Sequence, residues 1–295
     1  MKIKVITSYK PGCWEQYGKK GIESMAKQFP KEIDIVVYAE EPKPECKYDR
    51  IQWIDLNTAE PELVKFKNKH KNDPVANGEL EEIEGGVRRP AELQVKGGND
   101  KNKGSFLWAA VRFANKVFCV VNAVRNSEEY DYVVWIDGDT FSFRPIPMSF
   151  FERLLPQDTM LTYLGRENPK LNDGGKYPEC GFVGYNLKHP EMQNFINDWE
   201  KLYVTDEVFK LLEWHDSYVF WHLTKKYRKE SPYQIKVNDI GYWKGVKGHH
   251  VFVNSELGEY MDHMKGKRKK IGTSTRNDLR KEPTVDYWKK APQSL

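Results

Sequence analysis

Tyr132-Val133-Val134-Trp135-Ile136-Asp137-Gly138-Asp139 is the stretch whose reading decides the fold. Five apolar residues run without a break, and three of them are β-branched. A strand with one wet face alternates, so a short continuous run belongs to a strand covered on both faces, as in a mostly parallel α/β sheet. In open sheets of this class, ligands bind beyond the carboxyl ends of the strands. Asp137 and Asp139 stand at that end. Their side chains point the same way if the chain stays extended, and Gly138 between them lets a ligand approach the backbone. Two convergent carboxylates make a hard, oxygen-rich site for Mn²⁺ or Mg²⁺. An Asp-x-Asp arises on the order of once by chance in a chain of 295 residues, so the strand before it gives it its weight.

The rest of the α/β pattern extends outward from this run. Upstream, Ser105 reads as an N-cap, and Phe106, Ala110, Phe113, Val117 and Val121 recur at helical spacing as far as Asn126. The chain opens β-α-β: a strand over Lys2–Tyr9, a helix over Trp14–Phe29 and a strand over Ile33–Tyr38. Downstream come a helix over Ser149–Leu155, a strand over Met160–Leu164 and a Gly-rich loop at Asn172-Asp173-Gly174-Gly175. That loop reads either as an ordinary turn or as a loop that lines a ligand. A strand at Gly181–Tyr185 follows, then helices over Pro190–Tyr203 and Asp216–Tyr227. No internal repeat or linker divides the chain, so residues 1–295 read as one domain, with 276–295 as a C-terminal tail. Residues 57–104 are poor in apolar side chains and read as an inserted, partly mobile segment, either a solvated excursion or a lid or acceptor-selecting arm.

Composition narrows the class. With 39% hydrophobic and 31% charged residues, the chain has the balance of a soluble globular protein. A net charge of +4 suits an anionic ligand such as a nucleotide diphosphate without demanding a polyanion. Cys13, Cys46, Cys119 and Cys180 lack zinc-ligand spacing and form no dense framework, which points to reduced thiols and a cytoplasmic protein. The segment Met1–Val5 has no signal-peptide character, and the longest apolar run, around Val117–Val121, is too short to span a bilayer.

A second motif lies far downstream: His263-Met264-Lys265-Gly266-Lys267-Arg268-Lys269. An imidazole is a reasonable third ligand for Mn²⁺ if the fold brings it to the carboxylates. Lys265 and Lys269 could hold a departing diphosphate, with Gly266 giving room for its phosphates. The bland alternative is a basic surface turn or a nucleic-acid patch, since residues 265–270 carry five positive charges.

Together the two motifs resemble those of GT-A-fold glycosyltransferases, nearest to the glycogenin-like and lipopolysaccharide galactosyltransferase-like enzymes. Those carry a D-x-D after a buried strand and a late H-x-x-G-x-x-K; here these read Asp137-Gly138-Asp139 and His263-x-x-Gly266-x-x-Lys269. The resemblance spans roughly residues 1–9 and 105–275. Arg112 is similar to a basic residue that the family places near the donor. Glu179-Cys180-Gly181-Phe182-Val183-Gly184-Tyr185-Asn186 resembles its sugar-lining segment, and Trp214-His215-Asp216-Ser217 its acidic-polar pair. Glu179 stands where the family has Asn, Ser217 where it has Gln, and Lys270 where it has Pro and then an aromatic residue.

The resemblance implies a Rossmann-like GT-A fold and a metal-dependent hexosyltransferase. Asp139 is then expected to bind the metal, Asp137 to share it or reach the ribose, and His263 to complete the protein ligands. Lys265 and Lys269 are expected to hold the diphosphate, and Thr7, Ser8 and Tyr9 to contact base and ribose. The implied donor is a UDP- or GDP-sugar, with UDP favoured, and the acceptor a glycan or another hydroxyl. An inverting transfer needs a carboxylate base, for which Asp216 and Glu179 are the candidates. A retaining transfer needs only a face that stabilises an oxocarbenium-like state. Asp216 also suits a helix N-cap. Two rival readings remain: a nucleic-acid-directed protein, either a DNA-base glycosyltransferase or a basic DNA binder, and an inactive sugar-binding module.

Overall fold

The computed structural model describes residues 1–79, 82–83, 86–87, 105–166, 177–229, 234–241 and 250–295. Strand β1 (Ile3–Ser8), a wide helical turn at Trp14–Gly18, helix α1 (Lys19–Gln28) and strand β2 (Asp34–Ala39) form the expected β-α-β opening. Strand β3 (Ile51–Asp55) was not legible in the sequence; it is half exposed and carries little apolar signal. Helices α2 (Leu56–Ala59) and α3 (Pro61–His70) begin the stretch read as an insertion. Asp55 caps α2 by accepting from the Asn57 and Thr58 amides. Leu63, Phe66, Val75 and Ala76 are buried in one cluster with Val36 and Val133, so this part of the stretch packs into the core. Strand β4 (Glu82–Ile83) pairs antiparallel with β5 (Gly86–Val87), and the remainder as far as Gly104 lies outside the described residues.

A 3-10 turn at Ser105–Trp108 leads to helix α4 (Ala110–Arg125), whose N-cap is Ala109, so Ser105 does not cap it. Then follow β6 (Tyr132–Ile136), β7 (Thr140–Ser142), α5 (Met148–Leu154), β8 (Leu161–Leu164), β9 (Glu179–Asn186), α6 (Met192–Val204), α7 (Asp216–Lys229), β10 (Val237–Asp239), β11 (Met261–His263) and α8 (Asp286–Lys289).

Seven strands form one mostly parallel sheet in the order β10-β8-β9-β6-β1-β2-β3. β1 runs parallel to β2 and β6, β2 to β3, and β10 to β8; β9 runs antiparallel to β6 and β8. Helices flank the sheet, giving a Rossmann-like mixed α/β architecture. Every residue of β6 is buried. Val133 and Trp135 enter the apolar cluster shared with α4, α6 and α7, while Tyr132, Val134 and Ile136 enter the one shared with α1 and α5. That two-sided burial is the physical content of the unbroken apolar run. Fully burying one such side chain contributes roughly 1.5–3 kcal/mol.

From β1 the strand order proceeds to β2 and β3 on one side and to β6 on the other. The carboxyl ends of β1 and β6 therefore flank a switch point, where sheets of this class leave a crevice. No helix among the described residues is long and apolar enough to cross a membrane. All four cysteines are free.

Candidate metal centre

β6 ends at Ile136, and the chain turns through Asp137-Gly138-Asp139, with the Thr140 amide donating to the Asp137 carbonyl at 2.9 Å. The turn packs closely on its neighbours. A Cβ on Gly138 would run into the Ser8 carbonyl, so only glycine fits there. β7 then starts and pairs antiparallel with β11, placing Thr140 opposite His263 and Phe141 opposite Asp262. The Met264 amide extends the ladder by donating to the Asp139 carbonyl at 2.9 Å. From the other side, α1 supports β7: the Ser24 hydroxyl accepts from the Ser142 amide at 2.8 Å. Two three-residue strands thus bring together motifs more than a hundred positions apart.

The outcome is a cluster in which one ligand atom each from Asp137, Asp139 and His263 lies within 4.8 Å of the others. His263 Nε2 stands 3.2 Å from Asp139 and 3.5 Å from Asp137. Two carboxylates and one imidazole nitrogen are a donor set that fits Mn²⁺ or Mg²⁺ in chemistry, with the imidazole favouring the former. The Asp137 side chain and the His263 backbone are held from behind. Trp135 Nε1 donates to Asp137 Oδ1 at 2.7 Å. His250 Nε2 donates to the His263 carbonyl at 2.9 Å. The imidazole of His263 occupies space that a Cβ on Gly181 would need, so the glycine of β9 is what admits the ring.

Charge is arranged around the cluster in pairs. Lys269 Nζ lies 2.8 Å from Asp139, and Lys265 Nζ lies 2.6 Å from Glu179. Burial pushes the Asp139 carboxyl up, but His263 and Lys269 hold it well below the usual carboxylate range. Glu179 behaves alike: burial raises it, while Lys265 and His263 hold it well below. For His263, burial favours the neutral ring, yet the Asp139, Glu179 and Asp137 carboxylates keep it above its ordinary value. Gly266 has a φ of 64°, and a Cβ there would meet nothing within 4 Å. It supplies a left-handed turn between Lys265 and Lys269.

The sequence reading missed Lys116. It sits one turn beyond Arg112 on α4 and points into the site, where it donates to Asp137 at 3.2 Å, to Asp216 at 2.9 Å and to the Cys180 carbonyl at 2.5 Å. Burial lowers it, but Asp137 and Asp216 hold its ammonium well above the ordinary lysine value. Arg112 itself is exposed and lies over the Phe113 ring, 5.5 Å from its centroid. A lysine inside a helical pattern reads as surface, and only Lys116's spacing of four from Arg112 marked the shared face.

Other sites named from the sequence fall as follows. Asp216 begins α7, with its carboxylate turned to Lys116 rather than to the helix's own amides. Burial raises it, and Lys116 and His215 bring it below its ordinary value. Thr7 is buried in β1, and Tyr9 packs against Trp14 and Trp53, with ring centroids at 5.5 and 6.5 Å. Ser8 alone of the three is partly open. The loop Asn172–Gly175 lies outside the described residues. No family model matches the chain, and no curated protein matches its sequence.

Proposed function

We propose that the protein is a metal-dependent glycosyltransferase that moves a sugar from a UDP- or GDP-linked donor to a hydroxyl acceptor. One observation carries this reading: Asp137, Asp139 and His263 converge at the carboxyl edge of β6, with Lys265 and Lys269 reaching in beside them. Those three side chains would hold Mn²⁺ or Mg²⁺, whose charge offsets what develops on a departing diphosphate. Lys265 and Lys269 are paired with carboxylates at the site and can exchange those partners for phosphate oxygens.

The charge pattern bears on the acceptor half of the reaction. Asp216 and Glu179 are both clamped by ammonium groups and held below the ordinary carboxylate range. Both are therefore fixed negative charges at the site while those lysines stay paired with them.

Several of the basic side chains that suggest a nucleic-acid patch face carboxylates of this chain. Of the five positive charges at 265–270, Lys265 faces Glu179, Lys269 faces Asp139 and Arg268 pairs with Asp278. Lys265 is nonetheless half exposed and Lys267 and Lys270 are exposed, and a few phosphate contacts of this kind give weak, salt-sensitive binding. The deciding experiment incubates the protein with Mn²⁺ and a panel of nucleotide sugars and measures nucleotide release. Release that requires Mn²⁺ and disappears in Asp139→Ala supports the reading; no release from any donor, with or without acceptors, sinks it.

A further inference from the structure

A second group of side chains adjoins the Lys116–Asp216 pair without entering the metal cluster. Glu213 accepts from the Tyr177 hydroxyl at 3.0 Å, and its other oxygen lies 2.8 Å from His215 Nε2. His215 Nδ1 stands 4.0 Å from Asp216. Rings collect around this carboxylate. Tyr177 has its centroid 5.0 Å from that of Tyr218 and 5.4 Å from that of Trp221, and His215 lies 5.7 Å from Phe106. Tyr218 is buried, Tyr177 and Trp221 are partly open, and Phe106 is 53% exposed.

Trp221 is partly open, and the exposed Lys225 ammonium lies over its ring, 4.9 Å from the centroid, so this face takes up a positively polarised group, and a ligand would stack there by displacing the flexible lysine end. A pyranose presents such groups: one face is a sheet of polarised C–H bonds, and its edges carry hydroxyls. Ring faces take the first, and a carboxylate set among aromatic walls takes the second. An anionic sugar would meet the Glu213 charge.

We infer that Tyr177, Trp221 and Glu213 form a carbohydrate subsite for a neutral sugar, the acceptor of the reaction. This rests on the transferase reading and deepens it. The subsite is continuous with the site already described, since Asp216 at its inner end is joined through Lys116 to Asp137. The acceptor therefore enters from the α7 side, and the donor from the β1–β6 side.

The test titrates the full chain, without donor, with an array of neutral and acidic di- to pentasaccharides, followed by calorimetry. At least one neutral saccharide is expected to bind, Trp221→Ala to weaken it about tenfold, and Trp221→Phe to retain it. If circular dichroism shows Trp221→Ala to be unfolded, Glu213→Ala decides instead, with a similar loss expected. Failure of every neutral saccharide to bind at millimolar concentration, equal affinity in the deciding variant, or a preference for acidic sugars overturns the inference. Donor turnover is read separately: Trp221-dependent saccharide binding without metal-dependent nucleotide release would leave the subsite standing and remove the transferase reading.

Discussion

His263 Nε2 lies 3.2 Å from Asp139 Oδ1 because Thr140, the next residue after Asp139, is the ladder partner of His263. The distance is a product of strand register. Shifting β11 by one residue would turn His263 to the opposite face, since side chains alternate along a strand.

Asp139→Asn is expected to weaken Mn²⁺ binding by more than about 100-fold, above the range typical of losing an outer partner. Circular dichroism should report an unchanged fold. Near-native Mn²⁺ affinity in calorimetry would show that the cluster is not a metal site.

Gly181→Ala places a methyl group where the His263 ring lies. The variant is expected to lose about 10–100-fold in Mn²⁺ affinity although residue 181 supplies no ligand atom. Ile136, opposite Phe182, should stay packed, so the thermal midpoint should move much less than the metal affinity.

Lys116→Met leaves two carboxylates facing each other without their shared cation. Removing one member of a buried charge network costs about 3–5 kcal/mol. Urea unfolding should show this loss, and the double variant Lys116→Met, Asp216→Leu should recover part of it. Full additivity of the two changes would show that the pair is not coupled.

Asp278 gives a pH dependence of defined sign. Burial raises its carboxyl, but hydrogen bonds from Arg268 and Thr275 bring it down to about 2, from 3.8. A depressed acid stabilises the fold above its unfolded value, and that stability is lost as pH falls through the folded one. The gap sets a ceiling of about 2 kcal/mol, which solvent screening at this half-buried position reduces to about 1. The loss should occur between about pH 4 and pH 2 in urea titrations, and Asp278→Asn should abolish that part of the acid limb. An unchanged acid limb in the variant would assign the stabilisation elsewhere.

Legibility in the sequence followed burial. β6 could be read because both its faces are covered and every position is apolar. α4 could be read from Val117 and Val121, although the apolar Phe106 ahead of it belongs to a separate 3-10 turn. β3 could not, because its pattern is half exposed, and β7 and β11 could not, because three residues carry no period. Asp137, Asp139 and His263 were individually visible, but their meeting depends on the β7–β11 pairing, which no local pattern encodes. Lys116 was invisible for a related reason: its partners Asp137 and Asp216 lie 21 and 100 positions away.

The pairing of β7 with β11 also sets when the site can exist. A growing chain completes β6 and both aspartates while the third ligand is still more than a hundred residues from synthesis, and closing so large a loop is entropically costly until β11 has somewhere to dock. The three side chains therefore come together late, once folding is complete. A nascent or truncated chain ending before Met261 would carry the acidic pair without its imidazole partner, so a half-made molecule lacks the complete cluster.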